Sequence, residues 1–274
     1  MGLLLRGVFV AFVLSLLLKD GVASNENRNR ISSATVRAPK VINQILSLEQ
    51  RIQFIIKERN YSPLAGGQEH VMQHPDYESL VFFADQLGVK ISWVDSIAES
   101  VLALPHEQDR MKVRLEDKFQ GWFEEYTHPN IIFLDRKTSL STLVHELRHA
   151  IHLGTYGTRM GTPLDRSIQR SKAEALIFRE RIEGSPLPIN RIKHLRKLSI
   201  EYIETASEIL AYSDEYTVAA AFQDQAEMDS AILGRNRYWR KLHRIYKALK
   251  ADPVSQNETF VESLMESMSA SSAI

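Results

Sequence analysis

Apolar residues recur at helical spacing in several stretches of the chain. Over 41–57, Ile42, Ile45, Leu46, Leu48, Ile52 and Ile55 fall near one side of a 3.6-residue turn, which predicts an amphipathic helix. Residues 60–74 hold Pro63, Gly66 and Gly67 and read as a loop. A second helix is predicted over 76–87, with Leu80, Phe83 and Leu87 on one side and Gly88 as its stop. The short apolar runs 89–94 and 130–135 read as strands, the latter opening after Pro129. Thr138, Ser139 and Ser141 are candidate N-caps for a helix running to about Leu153, with Gly154 as its end. Beyond Pro188 the pattern is almost wholly helical: 190–214, 217–233 and 236–250. Few strands and many helices predict a helix-rich α+β fold, with one main domain over 41–250.

The two ends differ from this middle. Residues 1–24 have the pattern of an export signal: Arg6, an apolar run from Gly7 to Leu18, then the small residues Gly21, Ala23 and Ser24. Twelve apolar residues make roughly 18 Å of helix against a hydrocarbon core of about 30 Å, so a removed signal fits better than a membrane span. The expected location is therefore secreted or periplasmic. Residues 25–40 are polar and read as a flexible linker. Residues 251–274 close on the serine-rich stretch MESMSASSAI and read as a flexible tail.

Composition narrows the chemistry. The chain has 274 residues with 34 basic and 34 acidic side chains, which argues against nucleic acid as its partner. Removing the signal takes Arg6, Lys19 and Asp20 with it and leaves the balance essentially neutral. Cysteine is absent, so disulfides, thiolate ligands and a cysteine nucleophile are excluded. Any metal site must use histidine and carboxylate. The run 235–250 holds seven basic residues in 16, with Tyr238, Leu242, Ile245, Tyr246 and Leu249 as an apolar stripe. It reads as a helix packing that stripe inward and solvating its basic face.

The capped helix contains His145-Glu146-Leu147-Arg148-His149. On a helix the two histidines point about 40° apart and lie about 6 Å apart along the axis, so both imidazoles can reach one Zn²⁺. Glu146 lies beside that face, within reach of a water but not as a ligand. Leu143, Val144, Leu147, Ala150 and Ile151 would bury the helix. His152 shares the ligand face about 10 Å along from His145, and fits an outer or packing role better than a fourth ligand. Downstream, Glu201, Glu204 and Glu208 share one helix face among Ile203, Ala206, Ile209, Leu210 and Ala211, where a buried acid needs a partner. Glu174 is a further candidate.

The HExxH helix following a strand resembles the zincin metallopeptidases, in which the helix follows an edge strand. The resemblance covers mainly residues 131–154. It implies zinc held by His145 and His149, with Glu146 as general base. The metzincin continuation would need Gly at 152 and His at 155, where this chain has His152 and Thr155. A gluzincin-like branch, with a glutamate from a later helix as third ligand, is the better match. Ser207-Glu208-Ile209-Leu210-Ala211 followed by Glu215-Tyr216 looks like the glutamate helix of Mlc titration factor-type peptidases, which favours Glu208. The resemblance thus implies an exported zinc metallopeptidase, most simply an endopeptidase, acting on a protein or peptide. Tyr212, Tyr216, His194 and Arg148 are candidates for stabilising the oxyanion. A zinc amidohydrolase of wall peptides, and a non-catalytic binding protein on the same scaffold, stay open as alternatives.

Overall fold

The computed structural model describes residues 47–57, 67–105, 119–154 and 161–271. All belong to the compact unit Val41–Ile274. The expected signal at 1–24, the linker at 25–40 and the first residues of the helix expected at 41–57 lie outside the described residues.

The elements run α1 (Leu48–Lys57), α2 (Gln68–Gln73), α3 (Tyr77–Gln86), β1 (Val89–Val94), α4 (Ile97–Leu102), β2 (Gly121–Glu124), β3 (Asn130–Asp135), α5 (Leu140–Leu153), α6 (Pro163–Glu183), α7 (Ile189–Ala221), α8 (Gln225–Ala251) and α9 (Thr259–Ser271). The fold is α+β and helix-rich, with one small mixed sheet in the order β1-β3-β2. β1 runs parallel to β3, with Val89 opposite Asn130 and Val94 opposite Asp135. β2 runs antiparallel on the other side, with Gly121 opposite Leu134 and Glu124 opposite Ile131. The strand that leads into α5 is therefore the central one. The edge strand beside that helix is β2, which the hydrophobic pattern does not reveal.

Period-two alternation along β3 buries both faces. Ile132 and Leu134 join Leu48, Ile52, Leu80, Phe83, Leu143, Val144 and Leu147 in a core between α1, α3 and α5. Phe133 turns the other way, against Ile97, Ala98 and Val101 of α4. A second core gathers α6, α7, α8 and α9 around Phe178, Tyr202, Leu242 and Phe260.

Three expectations need correction. Residues 251–274 are not a free tail as far as Ser271: Phe260, Val261, Leu264 and Met268 of α9 are buried, with Phe178 and Phe260 rings 5.7 Å apart. Serine-rich composition masked an apolar stripe at helical spacing. The three helices expected over 190–250 are two, and the break falls at Phe222–Asp224, where Gln223 takes φ 57°. Asp214 and Thr217 resemble cap residues. In the fold Ser213 and Thr217 bond back to the carbonyls of Ile209 and Ser213, and the helix runs on. Gly234 does not break α8 either. A Cβ there would lie 2.5 Å from the Tyr212 ring, so its missing side chain lets α7 and α8 approach. The loop expected over 60–74 holds α2 in its described part.

His74 precedes α3 and is 3% exposed. Its Nδ1 accepts the Asp76 amide at 3.2 Å, and its ring meets Phe222 edge-on. Burial pushes its pKa down to about 4. The folded protein thus resists a proton that the unfolded chain takes up below about pH 6.5, and stability falls as pH drops through that window. Urea unfolding should show the wild type losing about 2 kcal/mol more than His74→Asn between pH 7 and pH 5. Equal losses in the two proteins would remove His74 as the cause.

Candidate metal centre

Helix α5 begins at Ser139, whose side chain caps the Thr142 amide, and it is buried along nearly its whole length. At 100° per residue its polar side chains take distinct directions. His145 and His149 face α7, Glu146 faces β2, and Arg148 and His152 both reach Asp165 at the start of α6. This sorting lets one helix serve three neighbours.

His145 and His149 bring their Nε2 atoms within 3.1 Å of one another. Glu208 on α7 reaches them with its two carboxylate oxygens, 3.8 Å from His145 Nε2 and 3.6 Å from His149 Nε2. One ligand atom from each of these three residues lies within 4.8 Å of the others, so the cluster can hold a metal ion. Tetrahedral ligands about 2.0–2.1 Å from a common centre sit roughly 3.3 Å apart, close to the observed spacing. The donor chemistry also fits. The two outer ring nitrogens are already engaged, His145 Nδ1 with Glu215 at 2.7 Å and His149 Nδ1 with Ser207 at 2.9 Å. That leaves both Nε2 atoms turned inward.

The other candidate acids are elsewhere. Glu204 lines the same cleft one turn before Glu208. Glu201 pairs with Lys197 at 3.6 Å, and Glu174 accepts from Thr259 at 3.2 Å. Of the oxyanion candidates, Tyr212 lines the cleft with its ring edge-on to His145 at 4.6 Å. Arg148 is withdrawn from it, bonded to Asp214, Asp165 and Glu49 at 2.6–2.8 Å. Tyr216 and His194 do not line it. His152 stands outside the cluster, between Ser207 and Asp165.

A cleft of about 610 Å³ opens over the cluster. One wall is Phe119 to Phe123, which includes most of edge strand β2; the other is α7 and α8 through Glu204, Tyr212 and Tyr238. Glu125, Glu146, Glu204, Glu208 and Glu215 line it, with no lysine or arginine among the described lining residues. The chain's overall neutrality conceals this local negative field, which favours cations.

The protonation states follow from that crowding. Burial opposes charge on His145, but the Glu215 hydrogen bond and the nearby Glu146, Glu208 and Glu215 outweigh it and push its pKa up to about 9. His149 goes the other way, held neutral by burial and by His145, His152 and Arg148. The charged His145 thus donates Nε2–H toward the bare His149 Nε2, and a proton sits where the three groups converge. Burial pushes the Glu146 carboxyl up to about 7, with Glu208 and Glu215 adding to it; His145 and the Phe123 backbone amide pull it down. Burial likewise raises Glu208, against His145 and with Glu204.

Four residues complete this environment: Gly121 and Asp165 carry no signal in the sequence, and Ser207 and Glu215 enter it only as part of the segment resembling a glutamate helix. Gly121 passes so close to Glu146 that a Cβ would lie 2.6 Å from its Oε1. Glu215, Ser207 and Asp165 meet the α5 histidines across 70, 58 and 13 residues. Comparison with protein-family models, with curated proteins and with solved structures finds no match.

Because a metal must displace the His145 proton, its affinity should rise with pH up to about 9, by about tenfold per unit. Chelator-competition titrations at pH 6.5, 7.5 and 8.5 measure this directly. An affinity independent of pH would contradict the proton's place in the cluster.

Proposed function

We propose that the protein is an exported zinc-dependent metallopeptidase of zincin-like, gluzincin-type organisation, hydrolysing peptide bonds in a protein or peptide substrate. The observation that carries this reading is the convergence of His145 Nε2, His149 Nε2 and the Glu208 carboxylate beside buried Glu146, at the floor of a cleft bordered by a sheet edge. Two imidazoles and one carboxylate are the ligand set of an open catalytic zinc site rather than a closed structural one. Zinc held there would supply Lewis acidity, activating water and polarising a carbonyl.

The chain's own groups account for the rest. Glu146 is set apart from the three ligands by its direction on α5, and the Phe123 amide and Gly121 fix it against β2. Its carboxylate accepts the proton of the attacking water and returns it to the departing nitrogen, which balances the hydrolysis. A pKa near 7 suits both transfers, and a cation at the cluster would bring it lower, toward the base form. Tyr212 stands at the cleft wall against His145 and is the group best placed to donate toward a developing oxyanion. The Phe119–Phe123 wall gives an extended peptide a strand edge to lie along, and a cleft open to solvent suits internal cleavage. Among the described residues no helix is long and apolar enough to cross a membrane.

Two sets of variants test the reading. Glu146→Gln should abolish cleavage of a denatured protein substrate while zinc stays at about one per chain, whereas His149→Ala should lose the metal. Hydrolysis by pure Glu146→Gln protein would sink the assignment. Gly121→Ala should keep zinc yet slow turnover by on the order of a hundredfold, because its methyl must push Glu146 aside. A Gly121→Ala enzyme with undiminished kcat would show that Glu146 does not need this position.

A further inference from the structure

Behind the metal cluster a line of polar side chains runs from His149 away from the cleft, and Ser207, His152, Asp165 and Arg148 do not line that cleft. His149 Nδ1 lies 2.9 Å from Ser207 Oγ, and the same oxygen lies 2.8 Å from His152 Nδ1. His152 Nε2 lies 2.5 Å from Asp165 Oδ1. Asp165 in turn accepts both bonds of Arg148 Nη1, at 2.7 and 2.8 Å. Ser207, His152 and Asp165 are each at most 2% exposed.

We infer that Asp165, His152 and Ser207 form a tautomer lock, which holds the His149 ring proton on Nδ1 so that Nε2 presents a lone pair to the cluster. The inference rests on the reading of His145, His149 and Glu208 as metal ligands. The direction of every hydrogen bond in the line follows from its far end. Asp165 is held as a carboxylate by Arg148 and by the Thr162 amide and hydroxyl at 2.8 Å, so it can only accept. His152 Nε2 must then carry the proton that it donates. Buried beside Arg148, His152 keeps only that one, and its Nδ1 is a bare acceptor. The Ser207 hydroxyl must donate to Nδ1 of His152. Its oxygen then accepts from His149, which fixes the His149 proton on Nδ1. No link can be reversed without leaving two donors, or two lone pairs, facing each other in a buried place.

The sequence explains why this is economical. Ser207 immediately precedes Glu208, so one turn of α7 supplies both the third ligand and the hydroxyl that orients the second. His152 and Arg148 come from the helix that carries both histidine ligands. Only Asp165 is brought from elsewhere, by the N-terminal turn of α6, where it also closes a capping box with Thr162. These three side chains are positioning residues: they touch no reacting atom and act through His149.

The test uses the full-length chain with nitrogen-15 in its histidine rings. In the metal-free wild type, two-bond proton–nitrogen correlations should show His149 as the Nδ1–H form, with His149→Gln identifying its signals. Ser207→Ala should shift that ring toward a mixture or the Nε2–H form, and Ser207→Thr, which keeps the hydroxyl, should restore it. Zinc affinity from chelator competition should fall about 10–100-fold in Ser207→Ala and in His152→Leu and recover in Ser207→Thr. An Nε2–H ring in the wild type overturns the lock. So does a folded Ser207→Ala protein that binds zinc as tightly as the wild type. Failure of the wild type to take up zinc overturns the metal reading alone, because the ring spectra still decide the lock.

Discussion

The Arg148 guanidinium is the interaction on which the site's frame depends. It is 4% exposed and binds three carboxylates from three elements: Glu49 of α1, Asp165 of α6 and Asp214 of α7. Its charge is indispensable there, since burial opposes it but Asp214, Asp165 and Glu49 hold it far above the ordinary arginine range. A buried ion cluster of this kind contributes little net stability over an apolar replacement, yet leaving its acids without their cation is costly. Its value is therefore geometric. The two cores of the molecule meet across α5 and α7, and Arg148 fixes the rotation of α5 about its own axis at that junction. A rotated α5 would carry both histidines away from Glu208 and Glu146 away from Gly121.

The position of Arg148 within the HExxH helix makes this effective. Neighbouring residues of one helix cannot point the same way, so the proposed ligands, the proposed base and the anchor are separated by the helix itself. His145 and His149 take the middle of the arc, with Glu146 on one side and Arg148 and His152 on the other. A cation site and a guanidinium would repel each other if they shared a face. Here Asp165, His152 and Ser207 stand between them, polar but carrying a compensating negative charge.

How much of this was legible in the sequence depends on how far apart the partners lie along the chain. The His145–Glu146–His149 pattern is local, so helical spacing alone fixes their relative directions. The strands 89–94 and 130–135 and the capped start of α5 were legible for the same reason. Glu208 stood out because an acid amid Ile203, Ala206 and Ile209 has no cheap burial, although spacing did not separate it from Glu204. The α7–α8 junction was misplaced because Asp214 and Thr217 look like caps until Arg148 and the helix carbonyls engage them. Edge strand β2 is four residues long and has no clean alternation. Gly121 and Asp165 are ordinary residues in sequence, and Ser207 and Glu215 stand there only as neighbours of Glu208; all four acquire their roles by contact across the fold.

Charge shows the same limit in another form. The chain is neutral in total, but the fold sorts its charges: glutamates converge on the cleft while Arg237, Arg240, Arg244 and Lys247 stand on the exposed side of α8. Three of the gathered carboxylates, Glu146, Glu208 and Glu215, face the histidine pair. Burial raises the first two above the ordinary carboxylate range, which means the fold tolerates their negative charge poorly without a compensating cation. In the metal-free protein the best available compensation is one proton on His145, shared toward His149. A single positive charge against three acids, of which Glu146 and Glu215 are buried and Glu208 half-buried, is an incomplete match, and part of the deficit is met by Glu146 holding a proton of its own near neutral pH. A divalent ion at the same point would replace the His145 proton and let Glu146 ionise. The electrostatic imbalance that makes the site awkward to bury is thus the same one that would favour a dication and set Glu146 free to act as a base.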